Sequence, residues 1–133
     1  MLFCINLNIY LVGAYKFRHN SVNNLLTNNI QTPLHLASEG GYDNIVNLLI
    51  DHGANLSFRD KGGRTPVFYA ALNGRIKALE AFIAAGANVY EQDAEGAPPM
   101  FYAARGGHTE AIILLKNAGA SVRARDYSGR TAM

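Results

Sequence analysis

The sequence contains a single cysteine, Cys4. One thiol cannot form an internal disulfide and leaves no thiol pair for a zinc site. The four histidines do not fill that gap, because no Asp, Glu or Cys accompanies them at metal-ligand spacing; they are His19, His35, His52 and His108. We therefore expect no metal and no other cofactor, and a reducing, cytoplasmic compartment.

Net charge is also low. Twelve Lys and Arg residues against ten Asp and Glu residues give a formal charge of +2. A protein that follows a phosphate backbone needs several clustered basic side chains. We therefore expect no nucleic-acid partner.

Long apolar runs are lacking as well. The most apolar stretch, residues 1–14, is interrupted by Asn6 and Asn8 and is too short to span a bilayer. We expect no membrane partner. A secretory signal is the alternative for this stretch, since Val12 and Ala14 form a small-residue cleavage pattern, although no Lys or Arg precedes it.

Motifs that indicate catalysis are missing too. The sequence has no nucleophile elbow and no glycine-rich phosphate loop after a strand. We interpret the pairs Gly62-Gly63 and Gly106-Gly107 as turn and helix-break glycines, and His108 as a helix-start residue. No enzymatic activity is expected.

What the chain does contain is a repeat. The segment 32–37, Thr-Pro-Leu-His-Leu-Ala, returns at 65–70 as Thr-Pro-Val-Phe-Tyr-Ala and at 98–103 as Pro-Pro-Met-Phe-Tyr-Ala. The step is 33 residues both times, and a second marker, Gly-Ala at 53, 86 and 119, keeps the same step. Two markers with one period indicate a tandem array in which each unit covers its neighbour's apolar face.

The middle unit shows how each repeat should fold. Thr65 can cap a helix through its hydroxyl, and Pro66 suits the first helical position. Gly74 ends that helix, a second one is predicted from about Ile76 to Ala85, and a turn follows at 93–96. The same parts predict helices at 32–39 and 43–52 with a turn at 60–63, and helices at 98–105 and 109–118 with a turn at 126–129.

Over residues 31–133 the chain resembles the ankyrin repeat family, whose T-P-L-H-x-A signature is matched by residues 32–37. The resemblance implies an all-α solenoid of helix-turn-helix units with β-turn fingers. Three full repeats would occupy about 31–59, 60–92 and 93–125, and a partial fourth 126–133. The resemblance also implies a Thr–His hydrogen bond at each helix start, with His35 as a capping histidine.

That hydrogen bond is available only in the first repeat, because Phe68 and Phe101 stand where His35 does. We expect ring packing between these two phenylalanines, beside Tyr69 and Tyr102, to replace it. The two tyrosines are interpreted as packing residues.

Both ends of the chain depart from the pattern. Residues 1–30 are predicted to be a non-repeat segment or a degenerate cap. The chain ends at Met133, before the helices of a fourth unit. We therefore expect a truncated array in which the face of Ile112, Ile113 and Leu115 lacks its next neighbour.

The resemblance further implies a monomer that binds a protein or peptide in a concave groove lined by turn tips and the exposed side of each first helix. Carried onto this sequence, the groove positions are Arg59, Lys61, Arg64, Leu72, Asn73, Gln92, Ala94, Glu95, Ala97, Arg105, Arg125, Tyr127, Ser128 and Arg130. Their charges are expected to alternate by finger, from basic through acidic to basic. Two alternatives stay open: part of a larger enzyme, channel or scaffold whose array recruits substrate or organises assembly, or a truncated product without function.

Overall fold

The computed structural model describes residues 29–131, which contain six helices in three pairs. The pairs are α1 (Pro33–Gly40) with α2 (Asp43–Asp51), α3 (Pro66–Leu72) with α4 (Ile76–Ala84), and α5 (Pro99–Arg105) with α6 (Thr109–Asn117). The described residues contain no β-sheet, and an isolated antiparallel bridge joins Arg125 to Thr131. The predicted all-α repeat fold is therefore confirmed.

The first helix of each pair begins in the same way. The residue before it is extended, with φ and ψ near −84° and 169° at Thr65, and a proline occupies the first helical position. Proline suits that position because its fixed φ fits the helix and its missing N–H would have no partner there. The regular helix starts follow directly from the prolines in the repeat.

The prediction that Thr65 caps its helix through the hydroxyl is wrong. The Thr65 hydroxyl makes no capping hydrogen bond, and the Phe68 N–H donates instead to the Thr65 carbonyl oxygen at 3.1 Å. Thr32, by contrast, does cap, because His35 holds its hydroxyl in place. The hydroxyl cap thus depends on the residue three positions later.

The helices form two rows. An inner row consists of α1, α3 and α5, and an outer row of α2, α4 and α6, with neighbours in each row packed together. Alanines at 37, 70 and 103 are all fully buried, and side chains this small let neighbouring helices approach closely. Burial of each larger core side chain, such as Val46 or Leu79, contributes roughly 1.5–3 kcal/mol.

Each turn is organised by a buried aspartate. One carboxylate oxygen of Asp93 accepts from the N–H groups of Glu95 and Ala97 at 2.9 and 3.0 Å. Asp60 and Asp126 accept from the corresponding N–H groups of their own turns. Because the aspartate accepts the same two backbone hydrogen bonds in each turn, the three turns have the same conformation.

Backbone hydrogen bonds join successive turns. The Ala94 N–H donates to the Gly62 carbonyl oxygen at 3.0 Å, and the Tyr127 N–H donates to that of Glu95 at 2.8 Å. One repeat earlier, the Lys61 N–H donates to the carbonyl oxygen of Asn29 at 2.9 Å. Asn29 therefore lies in register with the turn tips, although the predicted N-terminal segment, its possible signal and His19 otherwise fall outside the described residues.

The expectation for the last helix needs correction. Leu115 is fully buried, because it shares the inward position of Leu49 and Phe82. Ile113 is 52% exposed, and it shares the outward position that Asn47 and Glu80 occupy in the other repeats. Ile112 alone behaves as expected among these three: it is half-buried.

Candidate interaction surface

The turns and the ends of the inner helices border one surface, which we call the turn-side surface. Arg130, after the third turn, and Arg105, at the end of α5, place their guanidinium carbons 5.8 and 6.0 Å from the centre of the Phe101 ring. The two parts of the predicted groove therefore meet at this ring. Most of the predicted positions are exposed here; Arg64 and Asn73 are half-buried.

The predicted positions form columns with a 33-residue step. One column runs along the turn tips through Lys61, Ala94 and Tyr127. A second runs along the ends of the inner helices through Glu39, Leu72 and Arg105, a third through Arg59, Gln92 and Arg125, and a fourth through Arg64, Ala97 and Arg130.

Ala97 does not belong to the accessible surface, contrary to the prediction. It is 1% exposed and packs with Phe68, Phe101 and Tyr102. Its N–H is bound to Asp93, so the turn itself draws it inward.

The expected alternation of charge is largely cancelled by pairing between neighbouring turns. Arg59 lies 3.5 Å from a carboxylate oxygen of Glu91. Its guanidinium also donates to the carbonyl oxygens of Gly63 at 3.0 Å and Gln92 at 2.7 Å. Arg59 therefore ties the first turn to the second.

Arg64 makes the corresponding link deeper in the surface. Its guanidinium donates to Asp93 at 3.3 Å and to the Tyr102 hydroxyl at 2.9 Å, and it lies 4.8 Å from the centre of the Tyr102 ring. Burial disfavours the charged guanidinium, but Tyr102 and Asp93 outweigh that effect and raise the pKa of Arg64. The charge of Arg64 is therefore already paired within the protein.

Two tyrosine hydroxyls also hydrogen-bond to the buried aspartates of the first two turns. Tyr102 donates to Asp93 and Tyr69 donates to Asp60, each to the carboxylate oxygen that the turn N–H groups leave free. Burial, together with the neighbouring carboxylates, raises the pKa of both tyrosines to about 12. Their interpretation as packing residues therefore omitted a polar role.

At the third turn, Arg130 replaces the tyrosine. Its Nε donates to Asp126 at 2.6 Å, and its guanidinium lies 3.8 Å from Glu95. Desolvation would raise the pKa of Asp126, but the hydrogen bonds and charge of Arg130 lower it. Arg130 thus remains exposed but has two acidic neighbours.

On the turn-side surface, three exposed cations have no acidic partner among residues 29–131: Lys61, Arg105 and Arg125. Two large apolar side chains are exposed on the same surface, Leu72 at 36% and Tyr127 at 75%. Among the predicted positions, these five residues are the exposed cations without an acidic partner and the exposed large apolar side chains.

The three histidines between residues 29 and 131 have structural roles. Within the described residues no group of three His, Cys, Asp or Glu side chains can hold a metal ion. His35 is fully buried, and His52 donates from Nδ1 to the Leu48 carbonyl oxygen at the end of its own helix, at 2.8 Å. His108 immediately precedes α6, at the helix start where it was predicted.

Sequence reasoning missed a link on the outer side. His108 donates from Nε2 to the Leu72 carbonyl oxygen at 2.9 Å, and Arg75 donates to that of Glu39 at 3.2 Å. Each side chain satisfies a carbonyl group at the end of the preceding inner helix. The signal was available, because positions 75 and 108 are 33 residues apart and both carry a donor.

A shallow depression of about 600 Å³ lies on the outer side, lined among others by Tyr42, Asp43 and Lys77. It is separate from the turn-side surface. None of the helices between residues 29 and 131 has the length and apolar character that crossing a bilayer requires.

Comparison with known proteins agrees with this architecture. A family model for ankyrin repeats in three copies matches residues 4–93, and one for ankyrin repeats in many copies matches residues 74–115. No curated protein matches the chain.

Proposed function

Because the chain belongs to the ankyrin repeat family, we propose that it is a non-catalytic module that binds a protein or peptide on its turn-side surface. Ankyrin repeats generally mediate protein–protein interactions and are typically non-catalytic. The observation that carries the proposal is a set of five exposed side chains on that surface: three cations that have no acidic partner among the described residues, and two large apolar side chains. They are Lys61, Leu72, Arg105, Arg125 and Tyr127.

The framework beneath these side chains supports the proposal. The buried aspartates, the hydrogen bonds between turns and the Arg64–Asp93 pair hold the turn tips in one arrangement. A surface that is already ordered loses less conformational entropy when a partner docks. A cytoplasmic location, a monomeric state and the division at residue 30 remain predictions.

Photo-cross-linking can test the location of the site. We would replace Lys61 or Arg105 with benzoylphenylalanine and, as a matched control, the exposed Glu80 of the outer row. Each variant would be irradiated in an extract of cells that express the protein. We expect the same discrete adducts from positions 61 and 105 and not from position 80.

Arg64 is a poor probe for this purpose, because its substitution also removes a partner of the buried Asp93. Adducts formed equally at positions 61, 80 and 105 would contradict a binding site on the turn-side surface. Circular dichroism of each variant would verify that its helices are retained.

A further inference from the structure

The unpaired charges on the turn-side surface are predominantly positive. Lys61, Arg105 and Arg125 have no acidic partner within the described residues. Of the exposed acids there, Glu95 lies 3.8 Å from Arg130, and Glu39 stands at the end of α1 in the first repeat. The second and third repeats therefore present basic side chains that their own acids do not neutralise.

Exposed apolar side chains stand beside these cations. Leu72 and Arg105 occupy equivalent positions at the ends of adjacent inner helices, α3 and α5. Tyr127 lies against the second turn, where its ring fills the space that a Cβ on Gly96 would occupy. Because this contact uses one part of the ring, 75% of the residue stays exposed.

The spacing of the repeats sets the length of a ligand. Neighbouring packed helices lie about 8–10 Å apart, so Lys61 and Tyr127, two repeats apart, are separated by roughly 16–20 Å. An extended chain covers about 3.3 Å per residue, so about five or six residues reach from one to the other. The turn tip between them is Ala94, which is exposed and small.

We propose that the turn-side surface from the first turn (60–63) to the third turn (126–129) binds an acidic peptide segment of about six residues with at least one large apolar side chain. This inference rests on the proposed function and specifies the chemistry of the partner. Carboxylates of the segment pair with Lys61, Arg105 and Arg125, and its apolar side chain packs on Leu72 or Tyr127. Complementary charge raises the encounter rate and fixes the direction of the segment.

A peptide-display selection on the full chain tests this chemistry with a random library of about twelve residues. We would compare the wild type with the double variant Lys61→Gln/Arg105→Gln. The matched control is Lys77→Gln/Lys116→Gln, which removes the same charge from exposed positions on the outer row.

We expect the selected peptides to be rich in Asp and Glu around an aliphatic or aromatic residue. Their affinity should fall about two- to thirtyfold in Lys61→Gln/Arg105→Gln, as expected from two exposed ion pairs. It should fall less than about twofold in the outer-row control, and added salt should weaken binding to the wild type.

Other results separate the two proposals. Peptides without acidic enrichment that still lose affinity when Leu72→Gln is introduced would overturn the acidic-segment inference and leave the binding surface intact. A selection that enriches nothing, while positions 61 and 105 still give specific cross-links, would show that the partner is not a linear segment. Peptides that bind all variants equally would overturn both proposals.

Discussion

The first and second repeats begin their inner helices with the same backbone but different interactions. In the first, Nε2 of His35 donates to the Arg64 carbonyl oxygen at 2.9 Å, so Nδ1 accepts from the Thr32 N–H at 3.1 Å and lies 2.9 Å from its hydroxyl. In the second, Phe68 occupies the histidine position, and the buried Thr65 hydroxyl has no partner. We call the hydrogen bonds of His35 with Thr32 and with the Arg64 carbonyl oxygen the latch. The same backbone geometry thus forms with the latch in the first repeat and with an apolar side chain in its place in the second.

The apolar replacement is built around Tyr102. The Phe68 and Phe101 rings both pack edge-on against it, with centroid distances of 6.0 and 5.6 Å. The packing expected between the two phenylalanines is therefore made through this tyrosine. The repeat keeps its core, but the threonine inherited from the signature is left with an unsatisfied hydroxyl.

His35→Phe copies the second repeat into the first and should have the largest effect. It leaves the Thr32 N–H and hydroxyl without their acceptor in a buried site, and each unsatisfied group costs about 1–3 kcal/mol. We expect the free energy of unfolding to fall by roughly 2–3 kcal/mol, measured by urea denaturation. A loss below about 0.5 kcal/mol would show that the latch is dispensable.

Thr32→Val and Thr65→Val form a matched pair that should act in opposite directions. Valine keeps the shape of threonine, so the difference reports mainly on the hydroxyl. Thr32→Val removes a hydroxyl that is hydrogen-bonded to His35, and it should destabilise the chain by about 1 kcal/mol. Thr65→Val removes a buried hydroxyl that has no partner, and it should stabilise the chain by about 1 kcal/mol. Equal signs in thermal or urea unfolding would contradict the comparison.

The latch should also make stability depend on pH. Burial disfavours the imidazolium and lowers the pKa of His35 below its ordinary value of 6.5. The unfolded chain therefore binds the proton more readily, and the free energy of unfolding should fall as the pH decreases below 6.5, by at most about 1.4 kcal/mol per pH unit. Urea titrations at pH 7.5, 6.5 and 5.5 would measure this slope.

His35→Phe is the control for that measurement, because it keeps the other three histidines. Its slope between pH 7.5 and 5.5 should be smaller than that of the wild type. An unchanged slope would assign the pH dependence to other groups.

The helices could be predicted from the sequence because their signals are local. Pro33, Pro66 and Pro99 fix the starts of the inner helices, and the observed bounds lie within about two residues of those expected. The prediction of a capping hydrogen bond from Thr65 was wrong, because the partner of the threonine hydroxyl depends on the residue three positions later. In this repeat that residue is Phe68, which offers no ring nitrogen.

The surface was harder to predict. Arg64 and Asp93 are 29 residues apart in the sequence, so their pairing becomes visible only when the turns are placed side by side. That pairing removed much of the expected charge alternation. The exposure of Ile113 was also misjudged, because the residue type suggested a contact face whereas the column of Asn47 and Glu80 indicates solvent.

The smallest effect is expected when the latch is introduced where it is absent. In Phe68→His, the imidazole can accept from the Thr65 hydroxyl and donate towards the Ala97 carbonyl oxygen, which occupies the position of Arg64 in the repeat. The variant loses ring packing against Tyr102, an interaction worth about 0.5–1.5 kcal/mol. The gain and the loss are similar, so we expect the free energy of unfolding to change by no more than about 1 kcal/mol.

The informative measurement is the double-mutant cycle of Phe68→His with Thr65→Val. Thr65→Val should stabilise the wild type but destabilise Phe68→His, because the hydroxyl then has a partner; a stabilising effect in both backgrounds would show that histidine alone does not form the latch.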